Sequence, residues 1–468
     1  VPLLVPSAGA PAPVTSALVA NGVKFMCRNY NWILLLLLLF SSRGIAASEI
    51  SAVIIKSPAG SWSVSYTSDA PVTRISFQRA PDSSRGKRWR IKSADFKVVK
   101  VNDYETVRRV DGKPFTQVEF ELTPTYISLP KDYAPFSPFT DGGMLFHSGR
   151  FFACPDLCDG SLNEWHIRIR AAKDDNIIVD GVVYTGDASW VDSDSGQKVY
   201  VGKGEPIQDE NFVSLIDRGL PVPLKELMSQ NLPKILSYFA ARMGALNFRP
   251  SLYASYSQTS DGRYGNQGGT LPRQIFMHWY GEKAIEKLDE NATFWFFAHE
   301  VAHLYQGKAG NVEALADAWL HEGSAELFAG LSYSEIHGNH KIFLSKVENA
   351  KENCLSSFGT ETNYRNVALK SSKIHYSCGL LLFDALNNEL QERNSDVFFL
   401  WKAFNSAVNE GKPATTATFV EVSKSFVSHT SWLTLLDFVT KSEFNSRQFF
   451  QQIATNKSIQ PTANASAD

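Results

Sequence analysis

The stretch TFWFFAHEVAHLYQG occupies residues 293–307, and VEALADAWLHEGSAELF follows it at residues 312–328. Both runs are apolar enough and long enough to predict buried helices. The first helix carries His299, Glu300 and His303 in the order H-E-x-x-H. Histidines four residues apart project from one helix face, about 40° from each other. This spacing allows both imidazoles to bind a single metal ion.

The second helix supplies a third candidate ligand. Glu322 follows His303 after eighteen intervening residues, inside the sequence Trp-Leu-His-Glu-Gly. Two histidines and one carboxylate leave the fourth position of a tetrahedral zinc ion open, which is typical of catalytic zinc. Glu300 lies beside the metal rather than on it, where a general base for water is needed. Glu326, one turn beyond Glu322, is spaced to hydrogen-bond a ligand histidine.

A buried polar cluster without a metal is the alternative interpretation. The first helix is apolar nearly all round, at Phe294, Trp295, Phe296, Phe297, Ala298, Val301, Ala302 and Leu304. Imidazole and carboxylate groups in such a helix need partners, because unpaired buried charge is costly. One metal ion satisfies all of them together. We therefore predict one zinc ion per chain, bound by His299, His303 and Glu322.

The pattern H-E-x-x-H, eighteen residues, then W-L-x-E-G resembles the gluzincin metallopeptidases of the aminopeptidase N and leukotriene A4 hydrolase type. The resemblance implies that His299, His303 and Glu322 bind zinc and that Glu300 is the catalytic base. The family also uses a tyrosine in a Y-x-x-G motif about fifty residues later. At that distance this chain has Tyr376, in Tyr-Ser-Cys-Gly, which the resemblance makes a second catalytic residue.

The resemblance is partial. It covers roughly residues 250–386 and leaves the first two hundred residues outside it. Cys378 stands where the family usually has lysine, and His321 stands where it usually has asparagine. We expect the chain to be a diverged relative without the large C-terminal helical solenoid of many family members. The deep, closed substrate chamber of those relatives is therefore not implied.

The family also binds extended peptide by main-chain pairing along an edge strand that precedes the zinc helix. The matching segment here is residues 268–274, and Gly268 and Gly269 are the predicted substrate-binding residues. An ordinary loop that leads into a core strand is the alternative for this segment.

The chain of 468 residues, with 44% hydrophobic and 20% charged residues, is long enough for two or three globular domains. We predict an α+β fold with an N-terminal antiparallel β-domain, a thermolysin-like zinc peptidase domain and a helical C-terminal part. The predicted divisions are an upstream segment and signal peptide (1–47), a β-sandwich-like domain (48–215), a zinc catalytic half-domain (216–340), a helical part (341–458) and a disordered tail (459–468).

Three local predictions concern the approach to the zinc helix. An amphipathic pattern predicts a helix over Leu220–Gly244, which Pro233 should kink or split. Strands are predicted at Leu252–Tyr256 and Leu271–Tyr280. Between them, residues 262–269 predict a glycine-rich loop.

A targeting segment is predicted from Met26. Arg28 provides the positive charge, and Trp32 to Phe40 provides an apolar run that is too short for a transmembrane helix. Small residues permit cleavage near Ala47. We expect a periplasmic or secreted protein, with an uncleaved N-terminal anchor as the alternative.

Export would permit disulfide bonds. Four cysteines follow the predicted signal peptide: Cys154, Cys158, Cys354 and Cys378. Three pairings are possible, and the local one joins the first to the second and the third to the fourth. A metal site at the C-x-x-x-C pair is the alternative, although no further ligand cluster lies nearby in the sequence.

The net charge of −2 gives no reason to expect nucleic acid or an anionic membrane as a partner. We expect a zinc-dependent, aminopeptidase-like hydrolase of peptides. The alternatives are an endopeptidase or non-peptide hydrolase of the same fold, or an exported binding protein that retains a zinc site. The presence of Glu300 and Tyr376 favours an enzyme, because a binding scaffold needs the ligands but not the base. Substrate preference, exopeptidase or endopeptidase action, oligomeric state and the role of the β-domain stay open.

Overall fold

The computed structural model of this protein describes residues 49–79, 85–101, 104–126, 136–156, 158, 164–193, 196–259, 262–312 and 314–460. The predicted signal peptide and most of the predicted tail lie outside these residues. The prediction of disorder is wrong at the start of the tail, because Ile459 is buried at 4% exposure. No helix within the described ranges combines the length and the apolar character needed to cross a bilayer.

The N-terminal part consists of β-strands with one short helix, α1 (Arg85–Arg88). The strands are β1 (Ile50–Lys56), β2 (Trp62–Val72), β3 (Ile75–Phe77), β4 (Trp89–Ile91), β5 (Phe96–Val101), β6 (Tyr104–Arg109), β7 (Phe115–Leu122), β8 (Phe136–Pro138), β9 (Met144–His147), β10 (Ala153–Pro155), β11 (Glu164–Arg170), β12 (Asn176–Val179), β13 (Val182–Thr185), β14 (Asp187–Ser193) and β15 (Lys198–Gly202). Alternation of buried and exposed residues along β1 and β11 explains why these segments form half-buried strands.

Three sheets arise from these strands, with the orders β14-β11-β1-β2-β7-β4, β10-β3-β6-β5 and β13-β12-β15-β9-β8. The α+β class is confirmed, but a two-sheet sandwich is wrong because a third sheet is present. The pairing in this domain is antiparallel, as predicted, with one parallel exception. Strands β1 and β11 pair in parallel, because a long connection brings the chain back along the edge of β1 opposite β2, in the same direction as β1.

A fourth sheet prepares the metal-binding region. It contains β16 (Ile207–Gln208), β17 (Val213–Ile216), β18 (Ser251–Ser257), β19 (Gly265–Leu271) and β20 (Gln274–Tyr280), in the order β16-β17-β18-β20-β19. Strand β17 pairs in parallel with β18, so the sheet includes residues on both sides of the division predicted at 215. The domain divisions themselves stay predictions.

The glycine-rich loop predicted at residues 262–269 is wrong, because residues 265–271 form the edge strand β19. Glycine is accepted in this strand because there is no room for a side chain. A Cβ on Gly268 would lie 2.5 Å from the carbonyl oxygen of Phe276 and 2.8 Å from Phe296 Cζ. Atoms of neighbouring residues contact the glycine backbone directly and fill the space that a strand side chain normally occupies.

Helices form the rest of the chain: α2 (Val222–Met243), α3 (Lys283–Glu286), α4 (Glu290–Gln306), α5 (Trp319–His337), α6 (Lys341–Phe358), α7 (Tyr364–Ala368), α8 (Lys373–Glu392), α9 (Val397–Asn409), α10 (Thr416–Ser423), α11 (His429–Thr440) and α12 (Ser446–Asn456). Helix α2 continues through Pro233, so the predicted split is wrong. Burial of Leu232, Ile235 and Leu236 around the proline holds the helix together.

Helix α4 is determined by its sequence at both ends. The Asp289 carboxylate accepts hydrogen bonds from the backbone N–H groups of Asn291 (2.9 Å) and Ala292 (3.1 Å) and so caps the N-terminus. The helix ends where Gly307 adopts a φ of +64°, a conformation that glycine takes without strain. Between these ends, most side chains are buried, as the all-round apolar pattern predicts.

Helices α5 and α8 cross in direct backbone contact. A Cβ on Gly323 would lie 2.4 Å from the Cα of Gly379, so neither position has room for a side chain. Gly323 follows Glu322 in the sequence, and Gly379 lies three residues after Tyr376. The two glycines of the motifs W-L-x-E-G and Y-x-x-G therefore allow the helices to approach closely enough to share one site.

Both disulfides follow the local pairing. Cys154 bonds to Cys158, and Cys354 bonds to Cys378. The second bond links α6 to α8 beside the glycine crossing. It thereby ties the helix that carries Tyr376 to its neighbour.

We expect Gly379→Ala to destabilise the protein by about 1–3 kcal/mol, as overpacking of a close-packed interior does. Alanine stabilises a helix by about 1 kcal/mol relative to glycine. A loss of stability in Gly379→Ala must therefore come from the contact with Gly323. Denaturant-induced unfolding measures the change. Gly330→Ala is the comparison, because its nearest neighbour is the Phe343 side chain, which can move more readily than a backbone. An equal or smaller loss at Gly379 would contradict the role given to the crossing.

Candidate active site

The structure brings the three predicted metal ligands together. His299 and His303 project from α4, and Glu322 projects from the first turn of α5. One ligand atom from each lies within 4.8 Å of the others. The two histidine Nε2 atoms are 3.0 Å apart, and Glu322 Oε2 lies 3.2 Å from His299 Nε2 and 3.5 Å from His303 Nε2.

These distances fit a tetrahedral zinc ion. With zinc–ligand bonds of about 2.0–2.2 Å, neighbouring ligand atoms around the metal lie about 3.3–3.5 Å apart. Of the three observed separations, 3.5 Å lies in that range, while 3.2 and 3.0 Å are slightly shorter. Two imidazole nitrogens and a carboxylate oxygen are also the donor set that catalytic zinc takes. The residues present therefore suit the predicted metal.

In each of the two predicted ligand histidines, another side chain contacts the Nδ1 atom and orients the ring. The Oε1 atom of Gln306 lies 2.8 Å from His303 Nδ1, while its Nε2 donates to the carbonyl oxygen of His321 (2.7 Å) and to Ser324 Oγ (2.8 Å). The amide group is fixed by these two donations, so its oxygen can only accept from His303. The proton then resides on Nδ1 and Nε2 is available to a metal.

Glu326 lies behind the other histidine, as its spacing predicts. Its Oε1 is 3.0 Å from His299 Nδ1, and its Oε2 accepts a hydrogen bond from Trp295 Nε1 (2.9 Å). The indole holds the carboxylate, and the carboxylate orients the imidazole. Glu326 therefore sits where carboxylate partners of zinc-binding histidines are found.

His321 is a fourth imidazole beside the ligands. Its Nε2 lies 3.3 Å from Glu322 Oε1, and its ring centre is 5.6 Å from that of His303. Glu322 thus presents Oε2 to the two ligand histidines and Oε1 to His321.

The electrostatics favour a charged carboxylate at the centre. Burial would lower the pKa of His299, but hydrogen bonds to Glu322 and Glu326 raise that pKa to about 10. Burial also raises the pKa of Glu322, but the charge of His321 and hydrogen bonds from the three histidines hold it well below its usual value. Without a metal, His299 and Glu322 therefore form a buried ion pair, and binding of a metal ion at His299 Nε2 releases a proton from this imidazole.

The predicted base and the predicted tyrosine lie in the same site. Glu300 is 6% exposed, and its carboxylate accepts a 2.5 Å hydrogen bond from Thr270 Oγ1. The Tyr376 ring stacks on His299 with their centres 5.8 Å apart. Burial, then the charges of Glu322 and Glu300, raise the pKa of Tyr376 well above its usual value. Its hydroxyl therefore keeps its proton and can donate it in a hydrogen bond.

Gly268 and Gly269 lie on β19, the strand at the edge of the fourth sheet. An edge strand presents backbone groups along one side that an extended peptide can pair with. Helix α4 packs beside this strand, and Thr270 of the strand contacts Glu300 of the helix. Their substrate-binding role stays a prediction.

Sequence reasoning missed the roles of Gln306 and Thr270. Gln306 stands three residues after His303 on the same helix, a spacing that places the side chains on one face and was available as a signal. Thr270 carried no such signal, because its contact with Glu300 joins a strand to a helix thirty residues away.

The sequence matches no protein-family model and no curated protein. Solved structures do match. An aminopeptidase N family protein from Idiomarina loihiensis shares 12% sequence identity with a TM-score of 0.59, and the match covers 86% of this chain and 78% of that one. An M1 zinc metallopeptidase from Deinococcus radiodurans (15% identity, 86% and 94% coverage, TM-score 0.48) and the yeast leukotriene A4 hydrolase in complex with bestatin (13%, 88% and 71%, 0.48) also match.

The Idiomarina loihiensis protein has the highest TM-score of these three structures. Its coverage extends well beyond the residues that the motifs span, so the N-terminal β-sheets are part of the shared architecture. The resemblance predicted from the motifs is confirmed at the level of the fold: this chain has the fold of the aminopeptidase N family protein it matches.

Proposed function

We propose that this protein is a zinc-dependent peptidase. The convergence of His299, His303 and Glu322 within 4.8 Å, at zinc-like separations, carries the proposal. A binding scaffold needs these ligands alone. The additional presence of Glu300 and Tyr376 at the same centre supports catalysis, because these two residues supply a base and a hydrogen-bond donor.

When bound by these ligands, zinc supplies a Lewis acid that polarises a water molecule and the substrate carbonyl. Glu300 accepts the proton of the attacking water and passes it to the leaving amine. The protonated Tyr376 hydroxyl donates a hydrogen bond to the oxygen that becomes negatively charged. Glu326 and Gln306 hold the imidazoles in the orientation that the metal requires.

Edge strand β19 is the proposed docking site for an extended peptide. The strand has no acidic residue that would bind a free amino terminus by charge. Asn266 is exposed but neutral, and Gln267 Oε1 already accepts from Tyr126 (3.1 Å). Both oxygens of Glu326 face Trp295 and His299, so this carboxylate is not free to bind an amine. The arrangement supports aminopeptidase-like chemistry with weak recognition of the amine.

We also propose that the protein functions in an oxidising compartment outside the cytoplasm. The two disulfides support this, because such bonds are rare in cytosolic proteins. The predicted signal peptide before Ala47 agrees with the same destination.

The purified protein should contain one zinc ion per chain after dialysis, measured by elemental analysis. His303→Ala should lose the metal and unfold at a lower temperature, because metal binding adds to folding free energy. His337→Ala is the control, since this histidine packs on Phe294 and Tyr333 instead. Full zinc occupancy in His303→Ala would refute the ligand assignment.

Glu300→Gln should retain zinc and lose at least about a hundredfold in kcat, as expected for a general base. Steady-state kinetics on amino-acid amides and internally quenched peptides, together with zinc analysis, separate the base from the ligands. The matched control is Glu290→Gln, an exposed glutamate on the same helix. Wild-type turnover by Glu300→Gln with zinc bound contradicts the mechanism.

Free and N-acetylated versions of one peptide should differ by less than about tenfold in kcat/KM, or about 1.4 kcal/mol. The physical reason is that a neutral hydrogen bond to an amine is about half as strong as a charge-assisted one. Parallel assays on the matched pair measure the ratio. A strict requirement for a free amino terminus would show that an acid outside β19 binds it.

A further inference from the structure

Thr270 makes a contact that the zinc-peptidase chemistry does not by itself require. It lies on edge strand β19 opposite Ile275 of β20, and its side chain reaches helix α4. Its Oγ1 is 2.5 Å from Glu300 Oε2 and 3.1 Å from the backbone carbonyl oxygen of Glu300. The proposed catalytic base therefore receives a hydrogen bond from the strand that we propose as the peptide-docking edge.

A threonine hydroxyl has one proton, so it donates to one of these two oxygens at a time. The carboxylate is the better acceptor because it is charged, and O–H···O⁻ bonds are about 2.5–2.7 Å long. The observed 2.5 Å matches that class. The backbone carbonyl of Glu300 is already within helix α4, where a helical N–H is available to it. The hydroxyl proton is thus directed to Oε2.

We propose that Thr270 is the positioning residue of the catalytic base, an inference that rests on the proposed peptidase function. By holding Oε2, its hydroxyl selects one orientation of the Glu300 carboxylate and leaves Oε1 to take the proton from water. A glutamate side chain loses considerable rotamer freedom when it is fixed. The hydrogen bond from Thr270 fixes the Glu300 side chain before the substrate binds. The entropy cost of ordering this side chain is therefore not part of the reaction barrier.

The position of Thr270 gives this hydrogen bond a second consequence. Gly268 and Gly269 precede it directly on β19. A peptide that pairs with this edge is therefore aligned by the same strand that orients the base. One strand thus both pairs with the peptide and, through Thr270, holds the Glu300 carboxylate. It thereby sets the distance between the substrate carbonyl and that carboxylate.

A purely structural role predicts a different behaviour. If the hydroxyl only ties the strand to the helix, its removal lowers stability and leaves kcat unchanged at temperatures where the protein is folded. If it positions the base, its removal lowers kcat while KM and zinc content stay the same. Thr270→Val separates these roles because valine keeps the branched shape and removes only the hydroxyl. Thr270→Ser restores the hydroxyl without the methyl group.

The experiment uses the full chain loaded with zinc. Thr270→Val should lose about ten- to a hundredfold in kcat, the range typical of residues that orient groups at a metal site. KM and zinc occupancy should equal those of the wild type, and Thr270→Ser should recover most of kcat. Thermal unfolding of each variant confirms that it is folded at the assay temperature.

A double-mutant cycle gives a readout that does not depend on turnover. The affinity of a phosphinic peptide, a tetrahedral mimic of the reacting carbonyl, is measured by calorimetry in wild type, Thr270→Val, Glu300→Ala and the double variant. Thr270→Val should weaken binding only when Glu300 is present, because the threonine acts through that carboxylate. Equal weakening in both backgrounds overturns the inference.

The outcomes also distinguish a failure of the Thr270 proposal from a failure of the proposed peptidase function. If wild-type protein cleaves peptides and Thr270→Val does so with the same kcat, Thr270 has no positioning role and the peptidase assignment stands. If the zinc-loaded wild type cleaves no peptide, the proposed function fails and this role fails with it.

Discussion

The buried carboxylate of Glu322 is the constraint on which the rest of the site depends. A charge at 3% exposure inside an apolar helical core is expensive unless opposite charge and hydrogen-bond donors surround it. Three imidazoles converge on it, and each of the two oxygens has its own partners. These protein groups offset part of the cost of burying the charge, and the proposed zinc ion would offset more of it. The ligands, their orienting residues and the protonated tyrosine can all be understood from this requirement.

Bringing Tyr376 beside this cluster requires two helices to approach more closely than side chains allow. Gly323 and Gly379 meet by their backbones and bring the helix of Glu322 against the helix of Tyr376. The departure from the motif at Cys378 fits the same environment. This residue is fully buried and bonded to Cys354, in a place where the usual lysine would bury an unpaired charge.

The residues that orient the predicted ligands and the proposed base come from different elements, and each one holds a different side chain. Gln306 extends the zinc helix by one turn and fixes His303, while Glu326 is fixed by an indole and orients His299. The edge strand contributes Thr270 to the base. His299, His303 and Glu300 are therefore each held by a neighbouring side chain. Precision of this kind requires fixed neighbours, because an isolated glutamate or histidine samples several rotamers.

The sequence by itself predicted that His299, His303 and Glu322 meet, that Glu300 and Tyr376 lie beside them, and that β-rich parts precede helical ones. Spacing along one helix or between two motifs encodes these features, since helical periodicity converts sequence distance into a common face. The sequence left three cysteine pairings open, and the structure has the local one. Tertiary structure alone decided the parallel pairing of β1 with β11, the start of the edge strand at Gly265 and the hydrogen bond from Thr270 to Glu300. Each of these depends on which distant segment packs alongside. In β19, the absence of room beside Gly268 outweighs the local preference of glycine for loops.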